Sequence, residues 1–352
     1  MAQVLKVLAE KYEVSIVFPS NDPVEVPHYI SGSLILPKQG DRANTFSVRP
    51  KLGADILAIY EQELSDFISQ RNPDFIYWSH SYLPAGVPDL FEKLASRSLV
   101  EFANIEGQRF ASMAKVARTK PKIKLLLESV KAKVWEPKVA RQAFKCVALS
   151  SNDANQLAQW EADVLLAPNG VDYAPLESAG QDGYLLIFAS MNYAPNVSAT
   201  LSFVSDYWPK ISELYPNLEL VIAGRSAANL NLGHMQNIRI ISDPVSQDDV
   251  YQGAIATVIP TQSGGGSQLK ITESLQRNRL CLISPYTLGT APAELVDYLS
   301  EFVFHDSKSL LELVGRLSDA SNRYLTESEI EHGLTELSWR KTMNPVLHEL
   351  ER

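Results

Sequence analysis

Apolar residues come in short blocks along this chain, and between the blocks they recur at the three-and-four spacing of a helix. Met1–Lys11 carries Val4, Leu5, Val7 and Leu8 on a helical period, and Val14–Phe18 follows as a strand. Phe46–Pro50 reads as extended, Leu52–Gln70 as a long helix, and Asp74–Trp78 as a buried strand ending at Ser79-His80-Ser81. A helix over Pro84–Ala95 and a strand over Leu99–Phe102 come next. Helices over Asn104–Ala117 and Lys122–Ala143, divided about Pro121, precede a strand over Cys146–Leu149. Ser151 is expected to cap a short helix, and Asp163–Ala167 closes this half at Pro168-Asn169-Gly170. Strand alternating with helix predicts a parallel sheet covered on both faces.

Asp172–Gly183 is polar and turn-rich, a linker pattern, and the alternation then restarts. Strands are expected over Leu185–Ala189, Leu218–Ala223, Ile238–Ile241, Ile255–Ile259, Leu280–Ser284 and Phe302–Phe304. A helix begins at Asn196, and others cover Gln247–Gln252, Ser267–Arg277, Ser307–Leu317 and Glu327–Leu337. The fold expected is α/β, two doubly wound Rossmann-like domains. The first spans 1–172 together with a returning helix at 338–352, and the second spans 173–337. Ligands of such sheets bind beyond the carboxyl ends of the strands. Arg225, Pro260–Ser267 and Ser284–Gly289 all stand at that edge of the second domain.

The first domain opens on a helix, and Val14–Phe18 takes the place of the second strand of a doubly wound sheet, whose first strand is central. The expectation is therefore that the first domain lacks its first strand and glycine loop, roughly 15–20 residues. Either an open position beside Val14–Phe18 or direct pairing of that strand with Asp74–Trp78 should follow.

The net charge of −9 excludes a general nucleic-acid binder. Cys146 and Cys281 stand far apart in apolar runs, as buried thiols of a reducing compartment do, and no apolar stretch is long enough to span a bilayer. A cytoplasmic protein is expected. Charge is uneven: ten Lys and Arg against Glu128 and Glu136 between Ala111 and Lys145 make +8, which leaves −17 for the remainder. The plain reading is a solvated helical face. The sharper one is peripheral contact of residues 115–145 with an anionic inner membrane face or an acidic acceptor, helped by Leu125, Leu126, Leu127, Val130 and Val134.

Candidate chemistry gathers at Ser263-Gly264-Gly265-Gly266-Ser267-Gln268-Leu269-Lys270-Ile271-Thr272-Glu273. Glycines let backbone approach an anion, and the first N–H groups of a helix point at it. Lys270 and Glu273, three apart, share a helix face. Lys270 would meet a phosphate, while Glu273 could accept from neutral hydroxyls, which suits a nucleoside diphosphate. No Gly-Lys-Ser/Thr follows the glycines, so this is no Walker loop. Its late position also excludes a nicotinamide fingerprint.

With Phe188-Ala189-Ser190-Met191-Asn192-Tyr193-Ala194-Pro195-Asn196, Val221-Ile222-Ala223-Gly224-Arg225, the Gly264–Leu275 segment and a Gly289 loop in order, the chain resembles the GT-B glycosyltransferases, specifically glycosyltransferase family 4 (the group 1 glycosyl transferases). Pro168-Asn169-Gly170-Val171-Asp172 at the domain boundary and Trp339 in a terminal helix agree with it. The resemblance implies a retaining transferase acting in cell-surface glycan synthesis. It would use a nucleotide-sugar as co-substrate, with no metal and no other cofactor. Arg225 and Lys270 would be catalytic, holding the diphosphate as charge builds on it. Ser190, Gly265, Gly266, Ser267, Glu273 and Gly289 would bind the donor, Glu273 through the ribose, and the backbone at Val245 the base. His80, Asn104 and Glu106 are acceptor-side candidates, and the acceptor is a glycan or a lipid-linked sugar.

Two positions depart from the family pattern. Gln268 stands where members commonly carry Arg, and Ala103-Asn104-Ile105-Glu106 stands where they show His-Asn-x-Glu. Because that histidine is associated with the reacting sugar, a non-catalytic member that binds nucleotide or glycan stays open. A nucleotide-sugar epimerase on the same fold is the other alternative.

Overall fold

The computed structural model describes residues 1–38, 54–116, 120–177, 183–232, 235–263, 269–317 and 334–352. Phe46–Pro50, the stretch Gly264–Gln268 and most of Glu327–Leu337 lie outside them. The chain divides into two compact units, one of Met1–Ala114, Arg118–Pro168 and Trp339–Arg352, the other of Lys115–Ala117 and Asn169–Ser338.

The first unit runs α1 (Ala2–Ala9), β1 (Ser15–Pro19), β2 (Gly32–Leu36), α2 (Ala54–Ile59), α3 (Glu61–Arg71), β3 (Ile76–Trp78), α4 (Pro88–Leu94) and β4 (Ser98–Phe102). It continues with α5 (Glu106–Val116), α6 (Lys120–Gln142), β5 (Lys145–Ala148), α7 (Ser151–Gln159) and β6 (Val164–Leu166). Three expectations need correction, and one strand lies outside the pattern. The helix expected over Leu52–Gln70 is two helices, interrupted at Tyr60, whose ψ of 31° is not helical. Pro84–Ala95 is likewise broken: a 3₁₀ turn over Leu83–Gly86 precedes α4, which starts at Pro88. Ser150, not Ser151, caps α7, its hydroxyl accepting from Asp153 N–H at 3.1 Å. Finally, β2 is a strand that the sequence pattern did not reveal.

All pairings in this unit are parallel, in two ladders: β1 with β2, and the order β3-β4-β5-β6. Among the described residues β1 pairs with β2 and not with β3, so these are two separate sheets. Their side chains pack into shared cores. On one face Val17 and Leu34 pack into the core of Trp78, Val100, Phe102 and Ala148. On the other, Val4, Val7 and Leu8 of α1 lie over Leu99 and Val147, with Val14 and Tyr77 packed against them.

The second unit runs β7 (Tyr184–Phe188), α8 (Ala194–Asp206), α9 (Trp208–Leu214), β8 (Leu220–Gly224), β9 (Ile238–Ser242), α10 (Gln247–Gln252) and β10 (Ala254–Ile259). Then come α11 (Leu269–Leu275), β11 (Cys281–Ile283), α12 (Pro285–Leu288), α13 (Val296–Ser300) and α14 (Ser307–Arg316). Helix α8 starts at Ala194, two residues ahead of Asn196, with Pro195 in its first turn, where a missing N–H costs nothing. Phe302–Phe304 is no strand. Only Val303 bridges to Ile283, and Phe304 serves the core instead.

Here five parallel strands lie in the order β11-β10-β7-β8-β9. Every residue of β8 and β10 is buried, which is why both read as unbroken apolar runs. The winding reverses between β7 and β10, and a reversal point leaves a crevice at the carboxyl ends of its two strands. The chain ends in α15 (Trp339–Thr342) and α16 (Asn344–Leu350), which belong to the first unit. Met343, Val346 and Leu347 pack there with α1. Both cysteines are buried and free. Among the described residues no helix is long and apolar enough to cross a membrane.

Candidate functional site

In the second unit, polar groups collect where the strands end. A small cavity at the reversal point is lined by Phe188 and Ala189 from the end of β7, Pro260 and Thr261 from the end of β10, Asn196 of α8 and Lys270 of α11. Lys270 Nζ donates to Asn196 Oδ1 at 3.1 Å, and Asn196 Nδ2 donates to Ser190 O at 2.9 Å. One asparagine thus ties the lysine to the loop that follows β7. Arg225 follows β8, and its carbonyl accepts from Met191 N–H at 2.8 Å, which joins that loop to the same neighbour.

The approach of these two loops explains Gly224. Its φ is +129°, and a Cβ there would stand 2.2 Å from Ala189 O. Only glycine fits both the dihedral and the gap. Arg225 itself is exposed. Beyond β11, Ser284 Oγ bonds Thr261 O, and Thr287 Oγ1 donates to Ile259 O at 3.1 Å. Gly289, the exposed C-cap of α12, sits at the end of that tied loop. Val245 is fully exposed after β9. Gly265, Gly266 and Ser267 fall outside the described residues.

Burial sets the electrostatics. It holds the Lys270 ammonium below its usual range, against a smaller opposing pull from Glu273. Burial raises the Glu273 carboxyl, while Arg277 and Lys270 draw it down. Arg277 is anchored by Asp248 at 2.7 Å and donates to Glu273 O at 2.7 Å. A partly buried cation and a carboxyl one turn on therefore share a face, as their spacing predicts. Among the described residues no three metal-ligating side chains converge.

In the first unit the ends of β3 and β4 bring the acceptor-side candidates to one edge. His80 follows β3 and stacks on Tyr82 with ring centroids 5.0 Å apart. Burial lowers its pKa first, and the chain's amino terminus and Arg109 lower it further, so the imidazole is neutral near pH 7. Asn104 lies in the turn after β4, and Glu106 opens α5 and pairs with Arg109. Arg109 is also the charge that His80 and Tyr82 feel, so these groups form one cluster.

Sequence reasoning missed Asn196 as the partner of Lys270, although the residue stood inside a quoted motif. It also missed Glu136. That carboxylate, on α6, accepts from Glu106 N–H at 2.7 Å and Gly107 N–H at 2.9 Å, filling the start of α5. Ser129 of the same helix donates to Gly107 O at 2.7 Å. Burial pushes the Glu136 carboxyl up to about 7 in spite of both amides. No local signal marks a cap that arrives from 30 residues away.

No protein-family model matches the sequence, and no curated protein matches it. Solved structures do. The chain is similar to a sucrose-phosphate synthase from Thermosynechococcus elongatus, at 14% identity over 99% of this chain and 92% of that one, with a TM-score of 0.68. A glycosyltransferase from Rickettsia africae follows at 12% identity, 99% and 93% coverage and a TM-score of 0.62. A structure described as trehalose-6-phosphate from E. coli bound with UDP-2-fluoro glucose has 10% identity, 100% and 95% coverage and a TM-score of 0.61. At such identities the likeness is one of fold. The chain has the GT-B architecture, α/β with two doubly wound Rossmann-like domains.

Proposed function

We propose that the protein is a glycosyltransferase of the family 4 type, moving a sugar with retention from a nucleotide-sugar to a glycan or lipid-linked acceptor in cell-surface glycan synthesis. Lys270 and Arg225 hold the donor diphosphate and stabilise its charge as the sugar–phosphate bond breaks, which needs no metal. Glu273 takes the ribose hydroxyls and the backbone at Val245 the base. Ser190, Gly265, Gly266, Ser267 and Gly289 complete the donor contacts in the second unit. The first unit serves the acceptor through His80, Asn104 and Glu106. The protein works in the cytoplasm, peripherally at the inner membrane face through residues 115–145.

The observation that carries this reading is Lys270. A partly buried ammonium, braced by Asn196, stands at the reversal point of a doubly wound sheet. Its pKa is already lowered, so a diphosphate would supply the negative charge that the pocket lacks. Ala103 in place of the family histidine favours a second reading, a protein that binds nucleotide without turnover. Incubation with UDP-, GDP- and ADP-sugars separates the two. Released nucleoside diphosphate supports the transferase, binding without release supports the second reading, and neither outcome with any donor defeats both.

A further inference from the structure

Helix α6 has a mixed covered face: Ala132, Val139 and Ala140 are buried beside Glu128, Ser129 and Glu136. Glu128 accepts from Lys131 of the same helix at 3.0 Å, and Ser129 and Glu136 bond the start of α5. The outer face of α6 is aliphatic. Ile123 is 63% exposed, Leu126 46%, Leu127 53%, Val130 61% and Val134 75%. At 3.6 residues per turn these five fall within an arc of about 100°. The sequence expectation that Leu125 joins them is corrected, since Leu125 lies on the covered side, half-buried. On the same wheel Lys122 and Lys133 border one margin of the stripe, and Lys124 and Lys138 the other, all exposed.

We propose that α6 seats the protein on an anionic lipid bilayer, lying in the headgroup plane with the aliphatic stripe inserted and its lysine margins on lipid phosphates. This rests on the reading of peripheral work at a membrane and names the surface that makes the contact. The argument for lipid is the charge. A chain of −9 concentrates cations on both margins of its one long aliphatic stripe among the described residues. A second copy docked through the same stripe would set lysine margin against lysine margin. An anionic bilayer accepts both margins and the stripe at once. The covered face of α6 holds the loop after β4 through Glu136 and Ser129, so seating also fixes that loop relative to the lipid. An acceptor carried by a lipid would be presented to Asn104 and Glu106.

Co-sedimentation of the full chain with phosphatidylcholine vesicles, with and without phosphatidylglycerol, tests this. The protein should pellet with mixed vesicles at low salt, stay soluble with phosphatidylcholine alone, and be released as salt rises. The triple change Leu127→Gln, Val130→Gln, Val134→Gln leaves the charge and helix propensity intact and should weaken binding at least about tenfold. Reversing Lys122, Lys124 and Lys138 to Glu should weaken it by at least about fivefold per site. Unfolding midpoints equal to that of the parent show that both variants fold. No pelleting of the parent at low salt overturns the proposal. So does unchanged binding of the glutamine variant, which leaves only a basic patch. A lipid-independent dimer that the glutamine variant abolishes, with no vesicle binding, assigns the stripe to a second copy instead. Nucleotide release is not a readout here, so failure of the transferase reading leaves the outcome intact.

Discussion

Replacement of Lys270 by Ala removes the ammonium that donates to Asn196 Oδ1 at 3.1 Å. A hydrogen bond to a charged group contributes about 1.5–3 kcal/mol, so affinity for the matching nucleoside diphosphate should fall by roughly 10- to 150-fold. Asn196→Ala should act through the lysine, whose brace it removes, and cost less. If the asparagine has no other role, the double variant binds no worse than Lys270→Ala alone. pH offers an independent check. Burial holds the Lys270 pKa below 10.5, so the folded lysine gives up its proton before the unfolded one. Fold stability therefore gains as pH rises through that window, while diphosphate affinity, which needs the ammonium, falls across it. Isothermal titration with UDP, GDP and ADP from neutral to alkaline pH reads the affinity, and urea midpoints over the same range read the stability. Unchanged affinity in Lys270→Ala, or the same alkaline decline in that variant as in the parent, would refute the assignment.

Glu273→Gln should weaken a nucleoside and its diphosphate by the same factor, because its partners are neutral hydroxyls; equilibrium binding of the pair shows it. Glu136, with a folded pKa of about 7 against 4.5, binds more protons folded than unfolded between those values. Stability should thus fall as pH rises through that window, by about 3 kcal/mol at most, and urea midpoints of Glu136→Gln should not show that slope. Gly224→Ala places a methyl 2.2 Å from Ala189 O at a φ of +129°. It should cost at least about 2 kcal/mol, read as a lowered unfolding midpoint.

The buried strands of the second unit were legible because burial on both faces writes a continuous apolar run, as in β8 and β10. Phe302–Phe304 carries the same signature yet forms only one bridge. Three apolar residues can serve a core without joining a ladder, and composition does not distinguish the cases. Strand β2 escaped for the opposite reason. Its alternate residues Ser33 and Ile35 are exposed, so Leu34-Ile35-Leu36 shows neither the clean alternation nor the length of a buried run. Ser150 and Ser151 are adjacent candidates, and only backbone geometry chooses which hydroxyl reaches an amide. That Lys270 and Glu273 share a face of α11 follows from their spacing. The brace from Asn196 does not, since that asparagine lies 74 residues from its lysine. On α6 the usual rule is broken in places: Glu136 is inside because the amides of Glu106 and Gly107 meet it, while Val130 and Val134 are outside.

The division of the first unit into two sheets has a consequence for how that unit opens. Among the described residues β1 and β2 share hydrogen bonds with each other and none with β3, and side chains such as Val17, Leu34 and Leu36 pack them against the rest. Apolar packing resists separation less sharply than a ladder does, and the pair forms a contiguous block that can detach without disturbing the strands from β3 onward. Its amide protons, from Ser15 to Leu36, should exchange with solvent as one set, well ahead of those in β4 and β5.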